Sequence, residues 1–411
     1  MTSKLSGNRG EWSELYALCI LLGEGKLHHA DTDLSVNESQ HVEILSVLRK
    51  ESNDRELEYR IEKEGGVIEV YLNGRLHRTV PQSEFRDTAS TMLEILRGRK
   101  GRAFSIPELD TFIDAIGITK LKPTDKDKPD ITVQIFDPRT AAEFTMNYSI
   151  KSFLGSSPSL VNASALTYFY YELVGFDENA YVQVSSLPRR EVKKRVLLCN
   201  KLASDIRYAH LSKEAETFHN NLLQVHPYAE STLGYMLLNS NFVRGKRSRD
   251  ILAKLTADNP MHYESPNLYE VAYRDYLWAA FFGMVPSTPW FGRDSVDGYL
   301  LIDKNGRALS YLVVKKNSFS DHLLDASHFD TPSTDPKRAT CDTGFVFEKN
   351  GKYYLTLCLQ IKYANRINRS KDASFHYAVT ALPREEDDSI LPSCGEEPEI
   401  AESSSRFTII G

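Results

Sequence analysis

Apolar residues at Leu15, Leu18 and Leu22 in "EWSELYALCILL" (11–22) keep the spacing of one helical face, and Gly23 and Gly25 follow as stop signals. The pattern then changes to alternation. "VEILSVLR", "LEYRIEKEGG" and "VIEVYLNGRLHRTV" read as strands, and Asn73-Gly74 marks a tight hairpin. Helical spacing returns over 82–97 and 106–116, with Ser105 as a cap and Gly117 as a stop. After the charged linker "KLKPTDKDK", "ITVQIF" and "FTMNYSIKS" predict a strand pair, and "SPSLVNASALTYFYYEL" predicts the start of another helix. Residues 188–284 are mainly helical in pattern. The chain then turns back to β with "DGYLLIDKNGRALSYLVVK" (297–315) and "DTGFVFEKNGKYYLTLCLQIK" (342–362). Each runs acid, strand, Asn-Gly turn, strand, lysine, and together they read as two hairpins of one antiparallel sheet. The expected organisation is an α/β region over 1–187, a helical region over 188–285, an antiparallel β region over 286–383 and an acidic, flexible tail over 384–411.

Composition narrows the class without naming it. The 411 residues, 41% hydrophobic and 26% charged, fit an ordinary globular protein with enough chain for a large core. The N-terminus lacks a secretory-type apolar segment, and no apolar run reaches the roughly 18 residues of a membrane span, so a cytoplasmic protein is expected. Five cysteines without CxxC spacing argue against a disulfide framework or zinc site and fit a reducing compartment. His28 and His29 are adjacent and are assigned to the surface. A net charge of −6 excludes a uniformly basic surface but leaves room for local basic patches.

One stretch carries candidate chemistry: "KPDITVQIFDPRTAAEFTMNYSIKS" (128–152). An acid, Asp130, opens its first strand, and Lys151 lies near the end of its second. Hydrolysis of a phosphodiester needs carboxylates to hold a divalent metal and a cation to meet developing negative charge. The hairpin offers one acid and the lysine. A second acid is available from the first helix, where Glu11 and Glu14 lie three apart on one face, Glu14 being preferred. The bland alternatives are an ordinary hairpin and a helix whose first-turn acids complement its dipole. A rival hairpin also exists: Asp342 to Lys362 spans 20 positions, against 21 from Asp130 to Lys151.

With Pro129-Asp130 before Ser149-Ile150-Lys151, the chain resembles the PD-(D/E)xK nuclease superfamily, with Ser149 where the pattern has an acid. "GEWSELYALCILLGEGKLHHAD" (10–31), "SIKSFLGSSPSLVNAS" (149–164), "DGYLLIDKNG" (297–306) and "LQIK" (359–362) resemble, in this order, the HpaII-type restriction endonuclease family. The resemblance implies a type II restriction enzyme cutting double-stranded DNA at a short palindrome, CCGG for the namesake. It implies a mixed sheet flanked by helices, with Asp130, Lys151, Glu14 and Ser149 at an Mg²⁺ site and Glu11 as a further metal ligand. The N-terminal region is then the nuclease core, and the helical and C-terminal β regions embrace and read the DNA. A palindrome is met most simply by a two-fold dimer. A cognate methyltransferase acts on the same site without needing to bind this chain.

Arginine and lysine read guanine edges and bind phosphates. The candidates for that work are Arg244, Lys246, Arg247 and Arg249 in "NFVRGKRSRD", Arg338 in "DPKRATCD", and Lys362. Asn162 and Ser164 are polar candidates near the hairpin, at the start of the helix expected there. "RREVKKR" (189–195) is assigned to a solvated helix face. The alternatives are a sequence-specific DNA-binding protein without catalysis and a non-restriction nuclease of the same superfamily.

Overall fold

Helix α1 (Arg9–Glu24) begins where Asn8 and Glu11 cap each other reciprocally. Glu11 N–H donates to Asn8 Oδ1 at 3.1 Å, and Asn8 N–H donates to Glu11 Oε2 at 2.8 Å. It ends at Gly25, whose φ of 67° closes the last turn. Trp12, Leu15, Leu18 and Leu22 are buried, as their spacing predicts. Gly23 belongs to the helix rather than ending it: a Cβ there would lie 2.9 Å from the Arg86 backbone nitrogen. These observations come from a computed structural model that describes residues 5–30, 36–99, 103–121, 129–155, 158–312, 316–335 and 341–363.

Five strands follow, β1 (Lys26–Ala30), β2 (Val36–Ser52), β3 (Arg55–Glu62), β4 (Val67–Leu72) and β5 (Arg75–Pro81), then helices α2 (Gln82–Gly98) and α3 (Asp110–Ala115). Asn73 and Gly74 take the expected turn between β4 and β5, with φ of 50° and 76°. Next come β6 (Ile131–Asp137), β7 (Ala142–Ser152), β8 (Ser159–Val161), β9 (Tyr168–Val174), α4 (Glu178–Ser185), α5 (Val192–Leu202) and β10 (Asp205–Leu211). The helical stretch continues with α6 (Glu216–Val225), α7 (Ala229–Asn239), α8 (Ser248–Asp258) and α9 (Asn267–Phe281). The last part holds β11 (Gly298–Ile302), β12 (Ala308–Leu312), α10 (Lys316–Ala326), β13 (Ser327–Phe329), β14 (Phe345–Lys349), β15 (Lys352–Cys358) and β16 (Ile361–Tyr363). None of the described helices is long and apolar enough to cross a membrane.

Among the described residues, nine strands form one mixed sheet in the order β1-β12-β11-β7-β6-β2-β3-β4-β5, and β1 also pairs with β2, which closes the six strands from β1 to β2 of that order into a barrel and leaves β3, β4 and β5 as its extension. Strand β11 runs parallel to β7, and β1 parallel to β12; the remaining neighbours are antiparallel. Every residue of β11 is buried. Leu300 and Ile302 join the core beneath α1 and α2, while Tyr299 and Leu301 join a second core built from α4 to α10 and the smaller sheets. A strand covered on both faces reads as a continuous apolar run, and "GYLLI" is one.

Several expectations are corrected here. The two Asn-Gly segments do not share a sheet: β11 and β12 belong to the nine-stranded sheet, whereas β14 and β15 pair with β9 and β10 in the order β10-β9-β15-β14. The boundaries expected at 187 and 285 therefore cut across one sheet, since residues 298–312 complete it. No helix starts at 158. The segment forms β8, a single 3₁₀ turn at Ala165–Thr167 and β9, because "YFYYELV" alternates intermediate and buried positions with period two. His29 is 4% exposed rather than on the surface. Arg195 of "RREVKKR" is likewise buried, donating to the carbonyls of Gly344 and Leu187 at 2.7 and 2.8 Å. Cys341 and Cys358 are joined as a disulfide, which their scattered spacing did not suggest. The expected tail, 384–411, lies outside the described residues.

A buried charge cluster ties the sheet to the segment after α3. Glu51, 0% exposed, accepts from the backbone N–H groups of Thr119 and Lys120 at 3.0 and 3.2 Å and from Thr119 Oγ1 at 2.6 Å. It also pairs with Arg55 at 3.1 Å and lies 3.7 Å from Arg49, whose Nη2 donates to the carbonyls of Lys120 and Leu121 at 2.7 Å each. Removing one member of such a cluster strands a buried charge. Glu51→Ala is expected to cost about 3–5 kcal/mol of folding free energy, measured as a lowered midpoint in urea unfolding.

Candidate active site

The geometry follows from strand register. In the antiparallel β6/β7 pair Ile131 lies across from Tyr148, so Asp130, one residue before β6, falls across from Ser149. Alternation along β7 sends Tyr148 into the core beneath α1 and turns Ser149 and Lys151 to the other face. Asp130 Oδ2 accepts from Ser149 Oγ at 3.0 Å and from Ile150 N–H at 2.6 Å, and Lys151 Nζ donates to Ser149 Oγ at 3.0 Å. The result is a linear relay from ammonium through hydroxyl to carboxylate. Ser149 links the two charged groups, and with Oδ2 doubly engaged, Asp130 has Oδ1 left for a cation.

Asp130 and Lys151 line a cleft of about 650 Å³, open to solvent, whose opposite wall is the first turns of α1. Arg9, Gly10, Ser13 and Glu14 come from that helix, Asn8 from its cap, and Ser152, Gly155, Ser159 and Asn162 from the segment after Lys151. Glu14 thus meets Asp130 in one cleft while its neighbours Trp12 and Leu15 face inward, at 0% and 1% exposure. Glu11 does not line the cleft; its carboxylate is held in the N-terminal cap. The structure therefore does not bring Glu11, expected as a further metal ligand, together with Asp130 and Glu14. Arg9, Ser13 and Phe281 were missed from the sequence. Positions 9 and 13, like 10 and 14, are four apart and share a helical face, a signal that would have found the first two. Phe281 has no such signal. Its ring reaches the site from the end of α9, and Lys151 Nζ sits 5.9 Å from the ring centroid.

Crowding by protein pushes the Lys151 pKa below the ordinary lysine value, while the charges of Asp130 and Glu14 act in the opposite direction. Among the described residues no three His, Cys, Asp or Glu side chains converge as a ready-made metal cage. Asp130 and Glu14 still suit Mg²⁺, which takes one or two carboxylates and completes its shell with water and phosphate oxygens.

The rival pair is not assembled. The β14/β15 ladder runs from Phe345 opposite Thr356 to Lys349 opposite Lys352, so neither Asp342 nor Lys362 belongs to it. Asp342 is exposed and 3.7 Å from Arg189, while Lys362 lies in β16 and pairs with Asp330 at 2.5 Å. Among the other candidates, Asn162 lines the cleft. Ser164 instead caps the short 3₁₀ turn, accepting from Leu166 N–H at 3.2 Å. Arg244 and Arg247 are exposed. Lys246 is bonded to Thr331, and Arg249 to Asp325. Arg338 lies outside the described residues. Strand pairing joins the basic loop to the cleft wall: Ser159 pairs with Lys362, Lys362 with His328, and His328 bridges to Arg247. Such a row crosses the small sheet at about 4.8 Å per strand.

The depressed Lys151 pKa has a consequence for stability. The folded protein holds this ammonium less readily than water does, so the protonated group opposes folding at neutral pH. The opposition fades as pH rises above the depressed pKa. Lys151→Met is expected to melt at or above the wild-type temperature at pH 7, with the difference shrinking in the alkaline range. Thermal melts across pH check both parts.

The HpaII restriction endonuclease family matches residues 8–363. The type II restriction enzyme HpaII of Haemophilus parainfluenzae is 32% identical over 368 residues, covering 88% of this chain and 100% of the relative. No solved structure matches. A match over nearly the whole chain, including both the α1 wall and the hairpin wall of the cleft, leaves one assignment: the chain belongs to the HpaII restriction endonuclease family.

Proposed function

We propose that this restriction endonuclease, of type II like its relative, hydrolyses double-stranded DNA at a CCGG-type palindrome using Mg²⁺ held by Asp130 and Glu14 on a PD-(D/E)xK-type core. The observation that carries this reading is the Lys151–Ser149–Asp130 relay facing Glu14 across one cleft. When bound, the metal supplies polarisation of a phosphoryl oxygen and a more acidic water. Lys151 donates to the charge that develops on the phosphate, and Ser149 fixes the ammonium at the right distance from the carboxylate. Phe281 and the core behind it keep water from the underside of Lys151.

Duplex DNA would lie along the cleft, with Asn162 at its wall and the row from Ser159 to Arg247 following the backbone. Arg244 and Arg247, exposed on the basic loop, would supply phosphate or guanine contacts. A symmetric target calls for a two-fold dimer in which each protomer cuts one strand. The cognate methyltransferase would protect the same sequence without binding this chain.

Incubation with plasmid and Mg²⁺ is expected to give discrete fragments whose sequenced ends share one palindrome. Asp130→Ala and Glu14→Ala should each slow cleavage by about 100-fold or more while still retarding DNA in gels, the size of loss expected when an electrostatic group is removed from a transition state. Wild-type cleavage by Asp130→Ala would end the assignment. Fragment ends without a shared sequence would point to a nuclease of the superfamily that is not site-specific.

A further inference from the structure

Arg9 stands on the cleft wall opposite the relay, half-buried, and among the described residues no carboxylate pairs with it. An arginine lining the same cleft as Asp130 and Glu14 has two carboxylates as candidate ion-pair partners. Instead Arg9 Nη1 donates to the Leu154 carbonyl at 3.0 Å, on the segment that follows Lys151. That bond directs the guanidinium across the cleft and uses one of its five N–H donors. Its seat is Gly155. A Cβ at that position would lie 2.9 Å from Arg9 Cδ and 3.3 Å from Nη1. The Gly155 backbone lies outside the left-handed region, so absence of a side chain, not conformational freedom, is what the site requires.

We propose that Arg9, seated on Gly155 and anchored by the Leu154 carbonyl, binds a DNA phosphate within the catalytic cleft. The inference rests on the reading of the cleft as the cleavage site. A planar fork fixed at one nitrogen keeps its remaining donors pre-aligned for phosphate oxygens, which a lysine could not reproduce. The same bond joins the helix carrying Glu14 to the segment leaving Lys151. Phosphate binding and spacing of the two walls therefore depend on one side chain.

The test is the salt dependence of binding to a short fluorescent duplex bearing CCGG, without Mg²⁺, beside cleavage rates with it. One lost phosphate contact lowers the slope of log affinity against log salt by about 0.9. Arg9→Gln is expected to show that loss, Arg9→Lys to keep most of the slope but cleave more slowly, and Gly155→Ala to lose slope with every polar group still present. Gly155→Ala should also slow cleavage, by up to about 100-fold for a displacement near 1 Å, and add little in an Arg9→Gln background. A wild-type slope in folded Arg9→Gln overturns the proposal. Should Arg9→Gln fail to fold, a wild-type slope in Gly155→Ala does so. Asp130→Ala, run in parallel, should keep the wild-type slope and lose cleavage. If it cleaves, the metal-site reading fails while the slopes still report on Arg9.

Discussion

The short bonds from Ser149 Oγ and Ile150 N–H to Asp130 Oδ2 hold the site together. They fix a carboxylate at the open end of the β6/β7 hairpin. The β6/β7 register makes them possible, and the burial of Tyr148 and Ile131 enforces that register, since a slip by one residue would turn Tyr148 into the cleft and Ser149 and Lys151 into the core. Packing of apolar side chains on one face thus determines the chemistry on the other. Ser149 fits this frame: its hydroxyl bridges Lys151 and Asp130, and a second carboxylate, Glu14, reaches the cleft from α1.

A second constraint is the double burial of β11. Because β11 runs parallel to β7, the chain between them must travel back before it can pair, and over that distance it builds much of a second core, which α10 and the strands after it complete. Tyr299 and Leu301 serve that core while Leu300 and Ile302 serve the one beneath α1. The strand behaves as a seam between two packed bodies, and Lys151 sits beside it, across from Leu301 in the ladder. Phe281 reaches the lysine from the end of α9, where its ring also packs edge-on against Tyr299 of β11. The lowered affinity of Lys151 for its proton comes from the same closeness.

Much of the fold was legible in local pattern. The helical spacing of Leu15, Leu18 and Leu22, the Asn73-Gly74 turn and the alternation in β6 and β7 each specify their element through nearest neighbours, so reading them needs no distant contact. The misreadings share the opposite cause. "SPSLVNASALTYFYYEL" mixes small residues with an aromatic run, and pairing with β15 and β10 decides for strand. The two Asn-Gly segments look like partners because each is a good hairpin, but a hairpin says nothing about which sheet its outer edge will join. Glu11 and Glu14 were equivalent by spacing. Their division of labour, one capping α1 and the other lining the cleft, depends on Asn8 and on the angle at which the helix meets the sheet.

The sequence by itself determined most of the elements, the hairpin that carries Asp130 and Lys151, and the family, because these depend on residue type at short, fixed spacing. Tertiary structure alone decided which of two similar acid–lysine hairpins is assembled. It also chose which glutamate faces the lysine, set which cations are already committed to carboxylates, and brought Arg9 and Gly155 into contact. Those outcomes turn on the relative placement of segments that lie from 32 residues apart, for Lys362 and Asp330, to 145 apart, for Arg9 and Leu154, and no local pattern encodes a distance between them.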